Sequence, residues 1–146
     1  MTSPVPLMQG KKGLIMGVAN ERSIAWGIAC ALNAQGAELA FTYQGEALLK
    51  RITPLAEKIG SAIILECDVT DMASLDNTFE TLKERWGELD FVVHAIAYSD
   101  KEELKGKYID TSRENFNMTM DISCFSFTAV CQRAAPLMKS GGSLIT

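Results

Sequence analysis

Residues 13–27 read GLIMGVANERSIAWG. An apolar run, Leu14-Ile15-Met16, enters Gly17; Ser23-Ile24 follow six residues later, and Gly27 lies four beyond the serine. The pattern is a buried strand, a loop and the start of a helix. A helix start presents unpaired N–H groups and about half a positive charge, which suits a phosphate. Small residues at Gly17, Val18 and Ala19 let backbone amides approach such an anion. Ser23 is placed to cap the helix, and its hydroxyl or amide to meet a phosphate. The spacing is not GxGxxG, and a plain strand-to-helix turn with a serine cap would read the same way. The meaning of the loop therefore depends on what surrounds it.

The same rhythm continues downstream. Residues 24–35 read as a helix with Ile24, Ile28, Ala31 and Leu32 on one face and Gly36 as its stop. A strand follows over 37–43, then a helix over 46–59 in which Pro54 leaves room for a kink or break. Residues 62–67 form a third strand. Asp71 caps a helix to Trp86 whose Met72, Leu75, Phe79, Leu82 and Trp86 make one apolar stripe. Residues 89–95 are the fourth strand. Thr111-Ser112-Arg113-Glu114 reads as a capping box, with the Thr111 oxygen on the N3 amide and Glu114 reaching back. The helix it opens is expected to run to about Leu137, and Ser143 begins a fifth strand. Alternating strands and helices imply right-handed βαβ units and a parallel sheet covered on both faces. The reading is a doubly wound α/β fold of Rossmann type, one dinucleotide-binding domain over residues 1–146, cut short after the start of its fifth strand.

Composition narrows the function classes. A net charge of −4 and the lack of any Lys/Arg block argue against nucleic acid and anionic membrane as partners. Apolar runs such as 62–65 and 91–93 are far too short to span a bilayer. The opening MTSPVPLMQGKKG has no long apolar region, so no export signal is expected. Cys30, Cys67, Cys124 and Cys131 form no CxxC and have apolar neighbours, so they read as reduced, buried residues of a cytoplasmic protein. With His94 the one histidine and no paired ligands, no metal site is expected.

In a doubly wound sheet the ligand lies beyond the carboxyl ends of the strands, where the strand order reverses. After strand one stand Gly17, Ala19, Ser23 and Ile24. After strand two stands Gln44, where many NAD enzymes carry an acid and NADP enzymes a nearby base. A neutral residue there, with Lys50 and Arg51 the next bases, leans toward NADH, while Arg22 in the first loop keeps NADPH open. After strand three, Asp68 can accept from an adenine amino group and Val69 can flank its face, although Asp is also a common turn residue. After strand four come Ile96, Ala97 and Ser99. His94 reads as a packed histidine inside the strand, its direction undetermined. Four such loops in order at one sheet edge favour nucleotide binding.

At this point the chain resembles the NADH-dependent enoyl-(acyl-carrier-protein) reductases of bacterial type II fatty-acid synthesis, a divergent branch of the short-chain dehydrogenase/reductase superfamily. The matching pieces are Gly17-Val18-Ala19 with Arg22 to Ala29, Gly36 to Gln44, Cys67-Asp68-Val69, His94 to Ala97 and Asp121-Ile122-Ser123. The resemblance covers essentially the whole chain. It implies reduction of a trans-2-enoyl thioester carried by acyl carrier protein, with NADH giving hydride to the β carbon and the resulting enolate protonated at the α carbon. It also implies a homotetramer. It places Gly17, Ser23 and Ile24 at the pyrophosphate, Gln44 near the adenosine ribose, and Asp68 and Val69 at adenine. Ile96 falls near the nicotinamide half, and Ser99 where the acyl chain passes.

Two departures stand out. Ala97 occupies a position that is often glycine in relatives, so one extra methyl sits beside the nicotinamide space. More importantly, the family's catalytic tyrosine, followed seven residues later by a lysine, lies beyond the fifth strand. Within residues 1–146, Tyr43 and Lys50 have that spacing, but at the adenosine side. No catalytic residue is therefore assigned here, and a longer parent enzyme is expected. Two alternatives remain: another NAD(P)-dependent short-chain ketone reductase, and a non-catalytic NADH-binding module.

Overall fold

The computed structural model describes residues 5–146. Met1–Pro4, the start of the segment read as lacking an export signal, lie outside the described residues. Five strands, β1 (Lys12–Met16), β2 (Glu38–Tyr43), β3 (Ile63–Glu66), β4 (Phe91–His94) and β5 (Ser143–Ile145), form one parallel sheet in the order β3-β2-β1-β4-β5. The helices between them are α1 (Ile24–Ala34), α2 (Glu46–Lys58), α3 (Met72–Trp86), α4 (Arg113–Met120) and α5 (Ser126–Ala134). The order reverses between β1 and β4, which is the doubly wound arrangement.

Strand parity divides the core. Leu14, Met16, Ala40 and Val92 face one layer, under Leu75, Phe79 and Leu82 of α3 and Ala129 and Val130 of α5. Ile15, Phe41, Phe91 and Val93 face the other, under Trp26 and Ala29 of α1 and Ile52 and Leu55 of α2. Because both faces are covered, the central strands are apolar without alternation. Gly13 allows this packing: a Cβ there would sit 1.9 Å from the Phe91 ring. At the far edge of the sheet, Asp90 joins β1 to β4. Its carboxylate accepts from the Lys12 amide at 2.8 Å and the Lys11 ammonium at 3.0 Å.

Several expectations need correction. On α1 the buried residues are Ala25, Trp26 and Ala29, while Ile24 is 81% exposed and Ala31 is exposed. Ile28 and Leu32 are half-buried and pack against the core as expected, but Ala25, Trp26 and Ala29, not Ile24 and Ala31, complete the buried face. On α3, Met72 is exposed at the first turn, whereas Leu75, Phe79, Leu82 and Trp86 are buried as expected. Asp71 caps α3 through the Ala73 amide at 2.9 Å. Pro54 lies inside α2, which continues to Lys58. Cys67 is buried, but Cys30 and Cys131 are half-buried and Cys124 is exposed; all four are free thiols.

The capping box is shifted by one residue. Ser112, not Thr111, is the N-cap of α4, and its Oγ accepts from the Asn115 amide at 3.1 Å. The reciprocal carboxylate is Glu103 rather than Glu114: it accepts from the Ser112 amide at 2.8 Å and the Ser112 hydroxyl at 2.7 Å. Nor is the helix continuous. A π turn, Asp121–Phe125, separates α4 from α5, and a 3-10 turn, Ala135–Leu137, ends α5.

Candidate functional site

The carboxyl ends of β1, β2, β3 and β4 surround a cleft of about 410 Å³. Gly17, Ala19, Gln44, Asp68, Val69 and Ile96, all anticipated from sequence, line it. So do Tyr43, Leu48, Tyr98 and Ile122.

Gly17 brings the first loop against the exit of β4. Its φ is 101°, and a Cβ would lie 2.0 Å from the Ala95 carbonyl oxygen, so glycine is required on both counts. Ser23 is the N-cap residue of α1 but makes no side-chain cap bond. Its Oγ instead accepts from the Ala19 amide at 2.9 Å and the Asn20 amide at 3.1 Å. The Asn20 side chain in turn accepts from the Arg22 amide at 2.8 Å. The loop is thus braced from within. With both lone pairs of Ser23 used, its remaining capacity is to donate. The first amides of α1 have no intrahelical acceptor. A donating hydroxyl beside open amides is the chemistry of an anion site. Ser23 borders the cleft through its bond to Ala19 without lining it, and Ile24 does not line it but stands exposed at the start of α1.

Gln44 and Asp68 meet at the ends of β2 and β3. The Gln44 amide donates to Asp68 Oδ2 at 3.0 Å. Asp68 Oδ1 accepts from the Thr70 hydroxyl at 2.7 Å and the Thr70 amide at 2.9 Å. Those Thr70 bonds, opposed by partial burial and helped by Gln44, hold the carboxyl below the usual range, so it is anionic at neutral pH. A second recess of about 510 Å³ opens beside this pair and carries the carboxylates of Glu66, Asp68 and Asp71. This end of the site is acidic. Tyr43 lines the cleft, but Lys50 lies 2.8 Å from Glu46 and is engaged there.

At the β4 exit, His94 is buried on the α3/α5 face. Its Nε2 is 2.7 Å from Ser126 Oγ and its Nδ1 is 3.0 Å from Thr146 Oγ1. Burial lowers its pKa below 6.5, so the ring is neutral. Ile96 and Ala97 then pass along the cleft. Ser99 does not line it. Its Oγ accepts from the buried Asn115 side chain at 3.1 Å and from Thr119 at 2.9 Å, which anchors the following loop to α4. Ile122 belongs to the segment Asp121–Ser123 that carries the resemblance, but its sequence position alone does not mark it as a lining residue. It lies in the π turn, which no local sequence signal announces. Among the described residues, no cluster of His, Cys, Asp and Glu is placed to hold a metal, and no helix is long and apolar enough to cross a membrane.

A parallel sheet of this order, with a cleft at its switch point, defines a doubly wound α/β protein of Rossmann type. A model of the family described as enoyl-(acyl carrier protein) reductase matches residues 17–146, and the chain belongs to that family. Enoyl-(acyl-carrier-protein) reductase (NADH) 2 of Rhizobium meliloti (strain 1021) is 65% identical over 140 residues, covering 96% of this chain and 52% of its own length. The crystal structure of the Anaplasma phagocytophilum reductase in complex with NAD matches with a TM-score of 0.92 and 59% identity, over 94% of this chain and 53% of that one. A Bacillus cereus reductase described with NADP+ and indole naphthyridinone also superimposes with a TM-score of 0.92, at 45% identity, over 94% of this chain and 55% of that one. The chain spans about half the length of the curated relatives it matches.

Proposed function

We propose that this chain is the dinucleotide-binding domain of an NADH-dependent enoyl-(acyl-carrier-protein) reductase of fatty-acid elongation. The observation that carries the reading is the cleft itself, in which a braced, anion-ready loop faces the Gln44–Asp68 clasp across the switch point. The relatives named as NADH enzymes, and the one seen with NAD, support it.

The residues present fit a dinucleotide. The Ser23 hydroxyl and the first amides of α1 would hold the pyrophosphate, with Gly17 and Ala19 allowing close approach. Gln44 would lie by the adenosine ribose, and Asp68 and Val69 would hold adenine. Ile96, with Ala97, would flank the nicotinamide, and Ser99 would anchor the wall along which the acyl chain passes. When bound, NADH supplies the hydride that reduces the enoyl double bond. Carboxylates at the ribose end would repel a 2′-phosphate, which favours NADH over NADPH. The partner is an enoyl chain on acyl carrier protein. The assembly we infer is a homotetramer in the cytoplasm, in keeping with the exposed Phe116, Met120 and Phe125 along α4 and the π turn.

The test is NADH oxidation by the protein that carries this chain, with an enoyl thioester and, separately, a ketoacyl thioester. Turnover of the enoyl substrate alone is the expected result. Preference for the ketoacyl substrate would make it a ketone reductase, and NADH binding without turnover of either a non-catalytic module.

A further inference from the structure

His94 is buried and does not line the cleft, yet its hydrogen bonds lead to a turn that does. Ser126, also fully buried, donates its one hydroxyl proton to the Ile122 carbonyl at 2.6 Å. Its oxygen can therefore only accept from His94 Nε2 at 2.7 Å. This fixes the tautomer: Nε2 carries the proton, and Nδ1 accepts from the Thr146 hydroxyl at 3.0 Å. A chain of hydrogen bonds thus runs from Thr146 through His94 and Ser126 to Ile122. It ends on the π turn, where the Ser126 amide reaches back five residues to the Asp121 carbonyl. A serine hydroxyl bonded to the carbonyl four residues back bends a helix, and single π turns inside α-helices recur at functional sites. Ile122 of this turn lines the cleft, and Ser123 of the same turn accepts from the Tyr98 amide at 3.1 Å.

We propose that His94 is a positioning residue for the cofactor cleft, acting through Ser126 to hold the Asp121–Phe125 π turn that places Ile122 against the bound dinucleotide. This rests on the reading of the cleft as an NADH site. The ring makes no contact with cofactor or substrate in this scheme. Its effect on binding passes through Ser126.

The test uses the full chain, labelled with 15N, and three variants. His94→Leu keeps bulk and removes the donor. His94→Gln places an amide N–H near the Nε2 position. Ser126→Ala removes the relay. The ring-nitrogen shifts at neutral pH are expected to show the Nε2-protonated form, and an Nδ1-protonated ring would overturn the proposal. His94→Leu and Ser126→Ala are expected to weaken NADH binding by the folded protein about tenfold, the scale of one orphaned buried hydrogen-bonding group. His94→Gln is expected to restore most of it. A merely structural role would lower the melting temperature of all three while leaving NADH affinity of the folded protein unchanged, and that result would overturn the proposal. If the wild-type chain does not bind NADH, the reading of the cleft fails, and amide exchange at Ile122–Ser126 decides the positioning role by itself. Faster exchange in His94→Leu than in His94→Gln supports it, and equal exchange refutes it.

Discussion

The Gln44 amide donates to the Asp68 carboxylate at 3.0 Å, joining residues at the ends of neighbouring strands, 24 apart in sequence. Two loops that the sequence presents separately thereby become one rigid rim. That rim is acidic, since Glu66 and Asp71 share its outer recess.

Breaking the clasp should loosen the adenosine end. Asp68→Asn removes the charge that accepts from Thr70 and leaves Gln44 poorly partnered. NADH affinity is expected to fall about tenfold, consistent with the loss of charge-assisted hydrogen bonds. Gln44→Arg should instead narrow the preference for NADH over NADPH, because a guanidinium offers a partner to a 2′-phosphate. Parallel titrations with the two cofactors measure both effects. Unchanged affinities in both variants would remove this pair from the site.

Gly17 tolerates no side chain. Gly17→Ala sets a methyl 2.0 Å from the Ala95 carbonyl and holds a non-glycine residue at φ 101°. A loss on the order of 3 kcal/mol of folding stability is expected, with NADH binding lost as well. Denaturant melts test the first, and Gly27→Ala, where a Cβ would meet nothing within 4 Å, serves as control.

Ser112 and Thr111 are distinguishable by stability. Ser112→Ala removes the α4 cap and the hydroxyl's bond to Glu103, while the Ser112 amide keeps its own bond to that carboxylate, and about 1 kcal/mol of stability should be lost. Thr111→Ala should cost much less. The reverse ranking would restore the capping box as read from sequence.

Acid should act in two stages. The folded-state pKa of His94 lies below 6.5 because burial disfavours the charged ring. The unfolded chain therefore takes up this proton first, and stability falls as pH drops below about 6.5. His94→Gln removes that stage. Asp90 and Asp68 titrate lower. Burial alone would raise Asp90, but the Lys12 amide and the Lys11 charge outweigh it, and Thr70 lowers Asp68. Their contributions are present above the ordinary carboxylate range and are lost as pH falls through the depressed folded values. Melts of wild type and His94→Gln from pH 8 to pH 3 should diverge in slope as pH drops below about 6.5, where the unfolded chain takes up the histidine proton that the folded ring refuses.

The topology was legible because apolar strands and glycine-stopped helices alternate without interruption. The strand-end rule then pointed to Gly17, Gln44, Asp68, Val69 and Ile96, each of which lines the cleft. What escaped depends on distant partners. Thr111 and Ser112 are equally good caps by type, and Glu103, nine residues upstream of Ser112, selects the second. Ser23 resembles a helix cap locally, but the preceding loop folds its amides onto that hydroxyl. Ser99 has a place on the acyl path only through the family resemblance, and its bond to the buried Asn115 ties it to α4, off the cleft wall. The π turn requires His94 and Ser126, 32 residues apart, to meet.

The most direct test of the account is an NADH titration of the 15N-labelled chain, followed at the backbone amides. Saturable shifts at Gly17, Ala19, Gln44, Asp68, Val69 and Ile96, with the opposite sheet edge around Asp90 unmoved, are the predicted result. Saturation that leaves these strand-end amides unchanged, or no binding at millimolar NADH, would contradict it.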